Sequence, residues 1–344
     1  MKFGVFVPQG WRMDLAELED PVEQWEAMTA VARAADAGPW DAIWLFDHFH
    51  TVPEPVRETV FEAWTTTAAL ARDTHRVKLG QMVGCNGYRN PALYAKMAAT
   101  VDVASHGRLY AGIGAGWSEH EWRAYGYPWT SQKDRMGSFA ESVELIHRLW
   151  TEDDVVFEGK YHSVDKPFVV PRRKPQLWIG GGGERVTLRL VAKYGDVCNF
   201  GTGRVDVIEH KLAVLRQHCD DVGRDYDEIV KSTSLNVFPV ESGADPVATT
   251  AKARGRYSLD EFAEIGAGGT PGALAEVLTT KRLTEHVERL AEAGIQYVIV
   301  YIPGSRTTTS RCSGSRRTSY PASGESGGRG TEVLVDAVVH RRAR

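Results

Sequence analysis

The sequence predicts an α/β fold, a (β/α)8 TIM barrel, from three observations: eight short β-rich runs, helical periodicity between them, and long insertions where a barrel carries its mouth. The runs cover residues 3–7, 42–46, 77–83, 109–113, 177–179, 196–200, 229–238 and 297–302. A doubly wound open sheet alternates in the same way but usually holds about five or six strands, so the count favours the barrel.

Taken in order, the intervening segments read as helices. Asn90 is placed to N-cap a helix with Pro91 at its first position, and Leu93, Met97 and Val101 form an apolar stripe expected to face the core. Phe139, Val143, Ile146 and Trp150 recur at helical spacing, as do Ile208, Leu212, Leu215 and Cys219. Residues 118–134 and 152–175, rich in aromatics, Pro and charges, are insertions around the fourth unit. A further irregular stretch, 241–270, follows the seventh run. The barrel is expected to span residues 1–303.

The 344 residues are 42% hydrophobic and 25% charged, as in an ordinary soluble globular protein. No apolar stretch approaches the roughly 20 residues needed to span a bilayer, and "MKFGVFVPQG" lacks the basic and apolar regions of a signal peptide. A cytoplasmic location follows as the expectation. Cys85, Cys198, Cys219 and Cys312 show neither disulfide nor metal spacing. The net charge of −4 comes with no basic face for nucleic acid, leaving small molecules as the expected partners, with no membrane partner.

After Pro303 the character changes to "GSRTTTSRCSGSRRTSYPASGESGGRG". Residues 304–344 hold eight Arg, no Lys and three acids, which leaves 33 bases against 42 acids ahead of them. Such a composition reads as a disordered tail. A barrel's eighth strand should instead be followed by a closing helix, and a shifted reading frame can encode an amphipathic one here; the tail is read as a frameshift product, with a disordered extension as the alternative.

Chemistry is expected at strand ends. In "QLWIGGGGERVTLRLVAKYGD", Gly180, Gly181, Gly182 and Gly183 lie between a strand and a helix, where converging N–H groups and a helix N-terminus can hold a phosphate. In "LFDHFHT", His48 is a candidate proton carrier with Asp47 orienting it. The His48-Phe49-His50 spacing also admits a metal pair, but the other strand ends supply no further ligand cluster, and no metal is expected. Met82, Val83, Gly84 and Cys85 end the third run with small and apolar groups suited to a planar ligand. Gly112, Gly114 and Gly116 miss the dinucleotide spacing. Beyond them Trp117, Glu119, His120 and Trp122 offer aromatic walls and titratable groups.

"FGVFVPQGW", "WLFDHFH", "YRNPALYAKMAATVDVASHGRL", "GIGAGWSEHEWRAYG", "LWIGGGGERVTLRLVAKYGD" and "LAEAGIQYVIVYIP", in this order, resemble the luciferase-like monooxygenase family, in its actinobacterial branch that uses the deazaflavin coenzyme F420. The resemblance implies a TIM barrel, often a homodimer, with the ring in the mouth and the cofactor phosphate in the loop of Gly180 to Gly183. It implies a non-prolyl cis peptide behind the ring, near Met82 to Gly84. By position it makes Cys85, Asn199 and Trp117 ring or substrate contacts, with Glu119 beside them. The implied activity is hydride transfer between F420 and a small organic substrate. An FMN-dependent two-component monooxygenase and a non-catalytic flavin binder are the alternatives. The family's sugar-phosphate dehydrogenases carry a Trp four residues after the histidine and a Glu after the glycines of strand four, where this chain has Val52 and Trp117. That departure weighs against a sugar phosphate.

Overall fold

All eight β-rich runs are strands of one sheet. In chain order the strands are β1 (Lys2–Phe6), β2 (Ala42–Leu45), β3 (Lys78–Gln81) with its short continuation β4 (Gly84–Cys85), and β5 (Leu109–Gly114). The hairpin strands β6 (Val156–Glu158) and β7 (Ser163–Asp165) come next, then β8 (Gln176–Gly180), β9 (Val197–Phe200), β10 (Val230–Asn236) and β11 (Tyr297–Tyr301). The helices are α1 (Pro21–Ala37), α2 (Ala63–Asp73), α3 (Pro91–Ala104), α4 (Glu119–Ala124), α5 (Gln132–Thr151), α6 (Thr187–Tyr194), α7 (Val205–Val222) and α8 (Thr280–Glu292). This computed structural model describes residues 1–52, 54–237, 245, 247–248 and 280–302. Most of the expected 241–270 insertion, and the whole 304–344 tail, lie outside the described residues.

The ring runs β3, β2, β1, β11, β10, β9, β8, β5, with every neighbour parallel. Leu79 opposite Leu109 and Gly80 opposite Tyr110 close it. The expected (β/α)8 barrel is therefore the observed one. Closure leaves no open edge among these strands, and the described helices pack on the outside.

The interior is plugged by large aromatics from strands that leave their neighbours no room for side chains. Trp44 packs against Trp178 at 4.6 Å and Tyr110 at 5.7 Å between ring centroids. Tyr297 stands edge-on to Trp178 at 5.0 Å. A Cβ at Gly4 would lie 2.2 Å from the Trp44 ring, and one at Gly80 2.5 Å from it. Nearer the C-terminal ends, Phe6 stacks on Phe46 at 4.0 Å and Trp11 leans on Phe46 at 4.1 Å. The barrel interior is thus a packed core.

The helix readings stand with one correction. Phe139, Val143, Ile146 and Trp150 of α5, and Ile208, Leu212, Leu215 and Cys219 of α7, are all buried. Asn90 caps α3, its side chain accepting from the N–H of Ala92 at 2.8 Å. Of the expected Leu93–Met97–Val101 core stripe, Val101 is buried and Met97 packs against the core, but Leu93 is 51% exposed. Tyr94, Ala95, Ala98, Ala99 and Val101 form the buried face, because the small alanines bring the helix close to its neighbours and leave the longer Leu93 at the flank.

The insertion at 152–175 contains the antiparallel β6–β7 hairpin, pinned to α5. Glu141 accepts from the N–H groups of Lys160, Tyr161 and His162 at 2.7 to 2.9 Å, and the His162 ring meets the hydroxyls of Ser138 and Ser142, each at 2.9 Å. The 118–134 insertion folds as α4 and the approach to α5, beside the C-terminal ends of the strands.

Candidate active site

His48 lies just past the end of β2, its side chain 13% exposed. Its ring is stacked on Trp11 at 4.4 Å and 5°, while Trp117 meets it edge-on at 5.4 Å. Its Nδ1 lies 2.7 Å from Oε2 of Glu121, on α4. Glu121 is 2% exposed and accepts four hydrogen bonds: at Oε1 from the N–H of Phe49 (2.7 Å) and His50 (2.8 Å), at Oε2 from His48 and from the Tyr88 hydroxyl (2.8 Å). Burial by itself would raise this carboxyl; the bond and charge of His48, then the two main-chain N–H groups, outweigh it and bring it down to about 2. Glu121 is therefore an anion across the working pH range. An anionic partner makes Nδ1 the protonated nitrogen of the neutral ring and leaves Nε2 for other chemistry.

Asp47 is not the group that orients His48. Its carboxylate accepts from both Nη1 and Nη2 of the Arg89 guanidinium, Nη2 at 3.0 Å, and from the N–H of Cys85 at 2.8 Å. Arg89 also pairs with Glu62, which caps α2. Asp47 thus ties the end of β2 to β4 and the start of α3. Glu119 likewise faces away, paired with Arg123 one turn on, its side chain 51% exposed. That i,i+4 pair marks the outer face of α4, which puts Glu121 and Trp122 on the inner one. This was the sequence signal for Glu121. Nor do His48 and His50 converge, because the Nδ1 of His50 meets His120 at 2.9 Å instead.

The Met82–Val83 peptide is cis, at the place the resemblance implies. The Val83 side chain fits between two strands: a Cβ at Gly114 would come within 2.4 Å of it and one at Gly180 within 2.5 Å. Gly84 is as tight, its Cβ position 2.8 Å from the Gly112 carbonyl. Cys85 is packed with Tyr88 and Trp122. Burial, reinforced by the Asp47 charge, pushes its thiol up to about 12, so it stays a neutral packing group.

The four glycines have separate reasons. Gly180 makes room for Val83, Gly181 has φ +119°, and a side chain on Gly183 would come within 2.9 Å of the Thr187 hydroxyl. For Gly182 the protein supplies no such reason: a Cβ there meets only the Lys211 stem, at 3.5 Å. Main-chain hydrogen bonds run from Gly181 to the carbonyl of Asn199 at 3.0 Å and from Leu188 to the carbonyl of Gly183 at 3.0 Å. No described acceptor takes the N–H of Gly182 or Gly183. An open glycine with free N–H groups, beside the start of α6 and the Lys211 ammonium, fits a phosphate group. Lys211 itself pairs with Glu184. The Asn199 side chain is held by Ser232 (3.0 Å) and Ser234 (3.3 Å), so Asn199 meets the loop through its backbone.

A closed parallel barrel, a buried histidine–carboxylate pair at its C-terminal mouth and a glycine loop fit for phosphate together define a barrel enzyme built around a phosphate-bearing cofactor. The chain belongs to the luciferase-like monooxygenase family, whose sequence profile matches residues 1–297. It is similar to the F420-dependent glucose-6-phosphate dehydrogenase of Intrasporangium calvum, 26% identical over 300 residues, 81% of this chain and 89% of that one. The enzyme of the same name from Segniliparus rotundus is 32% identical over 212 residues, 59% of this chain and 62% of its own. Among solved structures, an F420-dependent secondary alcohol dehydrogenase in complex with an F420-acetone adduct superposes with TM-score 0.70 at 21% identity, covering 88% of this chain and 93% of that one. The coenzyme F420-dependent tetrahydromethanopterin reductase of Methanopyrus kandleri gives TM-score 0.66 at 16% identity over 99% of both chains. These structures share the fold. No helix among the described residues is long and apolar enough to cross a membrane.

Proposed function

We propose that the chain is an F420-dependent oxidoreductase that transfers a hydride between the deazaflavin and an alcohol or carbonyl carbon of a small organic substrate. The observation that carries this reading is the His48–Glu121 pair at the mouth, with Nδ1 committed to a buried anion. The names of the relatives support the choice of cofactor.

When bound, the deazaflavin supplies a two-electron hydride carrier, and the protein is left to manage the proton and the orientation. His48 Nε2 takes the proton from a substrate hydroxyl, or returns one to the carbonyl oxygen in reduction. Glu121 stabilises the imidazolium while it exists. Trp11 and Trp117 cover the ring and limit water around it. Met82, Val83, Gly84 and Cys85 form the surface behind the cofactor ring, held in register by Asp47. Gly180, Gly181, Gly182 and Gly183 take the phosphate, with Gly182 the direct contact, Lys211 supplying charge and Asn199 fixing the loop. Glu119 stays outside the chemistry.

The mouth favours an uncharged substrate. Among the described residues Arg89, Lys211 and Arg204 are each paired with a carboxylate. Val52 packs beside Trp11, and Trp117 stands 64% exposed next to His48, ready to lie on an apolar substrate. The same reading places the protein in the cytoplasm, consistent with three free buried cysteines among the described residues, and as a homodimer, which gel filtration would check.

Fluorescence titration of cofactor-free protein with F420 and with FMN tests the proposal. F420 is expected to bind at least about tenfold more tightly, a difference of roughly 1.4 kcal/mol. A preference for FMN would overturn it.

A further inference from the structure

Tyr88 takes no part in the mechanism above, yet its hydroxyl is buried on the proton-transfer pair. It ends the turn that follows β4, 33 residues from Glu121 in sequence, and donates to Oε2 at 2.8 Å. The ring is fixed from several sides. Phe49 stacks on it at 4.5 Å, Tyr127 at 5.0 Å, and Trp122 tilts against it at 5.9 Å. Preceding it, Gly87 has no room for a side chain, because its Cβ would lie 1.8 Å from the Trp122 ring. The residue is 6% exposed, so the hydroxyl has little choice of partner.

Of the four donors on Glu121, two are main-chain groups that come with the loop. The remaining two, His48 and Tyr88, share one oxygen. A second donor on that oxygen draws off negative charge that the first would otherwise feel. We propose that Tyr88 is a positioning residue of the proton-transfer pair: its hydroxyl fixes Oε2 and moderates the hold of Glu121 on the His48 imidazolium.

The other titratable or charged groups around the pair are Cys85 and Tyr127 beside Tyr88, the Asp47–Arg89 pair behind Cys85, His50 on the His48 loop with Tyr125 against it, His120 on α4, and Arg12 against the Trp11 ring. Cys85 stays neutral, and Asp47 and Arg89 compensate each other. Tyr88 is itself held protonated, by burial first and then by the Glu121 carboxylate, so it remains a donor at any working pH.

The inference rests on His48 as the proton carrier for its catalytic meaning, but its test is read on the ring itself. The His48 titration is followed by nitrogen-15 NMR of the cofactor-free protein, its resonance assigned with His48→Asn. In Tyr88→Phe the midpoint is expected to rise by about half a unit or more, since Oε2 then serves His48 alone. The pH profile of kcat/KM should move the same way. With 3-fluorotyrosine at position 88, whose single fluorine makes the hydroxyl a stronger donor on a ring of nearly the same size, the midpoint is expected to fall. An unmoved midpoint, or shifts of the opposite sign, in proteins with wild-type circular dichroism overturns the inference. Should His48→Asn keep full turnover, the proton-carrier reading fails on its own, while the midpoints still decide the role of Tyr88.

Discussion

The Nδ1 of His48 and the Oε2 of Glu121 meet at 2.7 Å across 73 residues of chain. One comes from the end of β2 and the other from α4, so the pair exists only when the barrel and its first insertion are both in place.

Replacing His48 with Asn should lower kcat by about 10²- to 10⁴-fold, the usual contribution of a positioned acid or base. F420 affinity should stay within about threefold, because the proposed binding surface is the glycine loop and Val83. Stopped-flow hydride transfer beside equilibrium titration separates the two quantities, and full activity would falsify the assignment.

Glu121 links stability to acid. Its folded-state value of about 2 lies below the ordinary carboxylate range, so its contribution is complete above the unfolded value near pH 4.3 and is lost as pH falls toward 2. Glu121→Gln should therefore be less stable than wild type at pH 7, with the gap closing between about pH 4.5 and 2.5. Urea midpoints at several pH values measure this. A gap that is constant with pH would show that the loss is one of packing alone.

Gly180→Ala and Gly182→Ala should part company. The first drives a methyl into Val83, 2.5 Å away, and should cost on the order of 1–3 kcal/mol of stability. The second meets only a flexible lysine stem at 3.5 Å, so Tm should hardly move while F420 affinity drops about tenfold or more. Unchanged affinity in Gly182→Ala would remove the loop from phosphate binding.

Asp47→Ala leaves the Arg89 guanidinium buried beside Glu62 alone and the Cys85 N–H without its acceptor. Losing one partner of such a buried pair costs roughly 3–5 kcal/mol. Cofactor affinity should also fall, since β4 loses its tie to β2, whereas a purely catalytic Asp47 would leave urea stability intact.

Much of the fold was legible because it follows from local rules. Eight β-branched and aromatic runs, Asn90 before Pro91, and the spacing of Ile208, Leu212, Leu215 and Cys219 each report the environment of their own neighbours. The α3 stripe misled because apolar spacing names candidate faces, while close packing chose the alanines. His48 was visible as a histidine at a strand end, but pairing it with Asp47 neglected that successive residues of an extended segment face opposite ways. Asp47 accordingly turns to Arg89 and His48 to Glu121.

By itself the sequence determined the barrel, the position of the glycine loop and the strand end that bears the histidine, since hydrophobic period and turn chemistry act over a few residues. Only the tertiary structure decided that Glu121 meets His48 and Tyr88 meets Glu121, that Asp47 belongs to Arg89, and that Gly180 serves Val83 while Gly182 is left open. Those relations join residues tens of positions apart. They depend on which buried polar atoms find partners and which atoms compete for the same space, and that is settled only when the strands close into a ring.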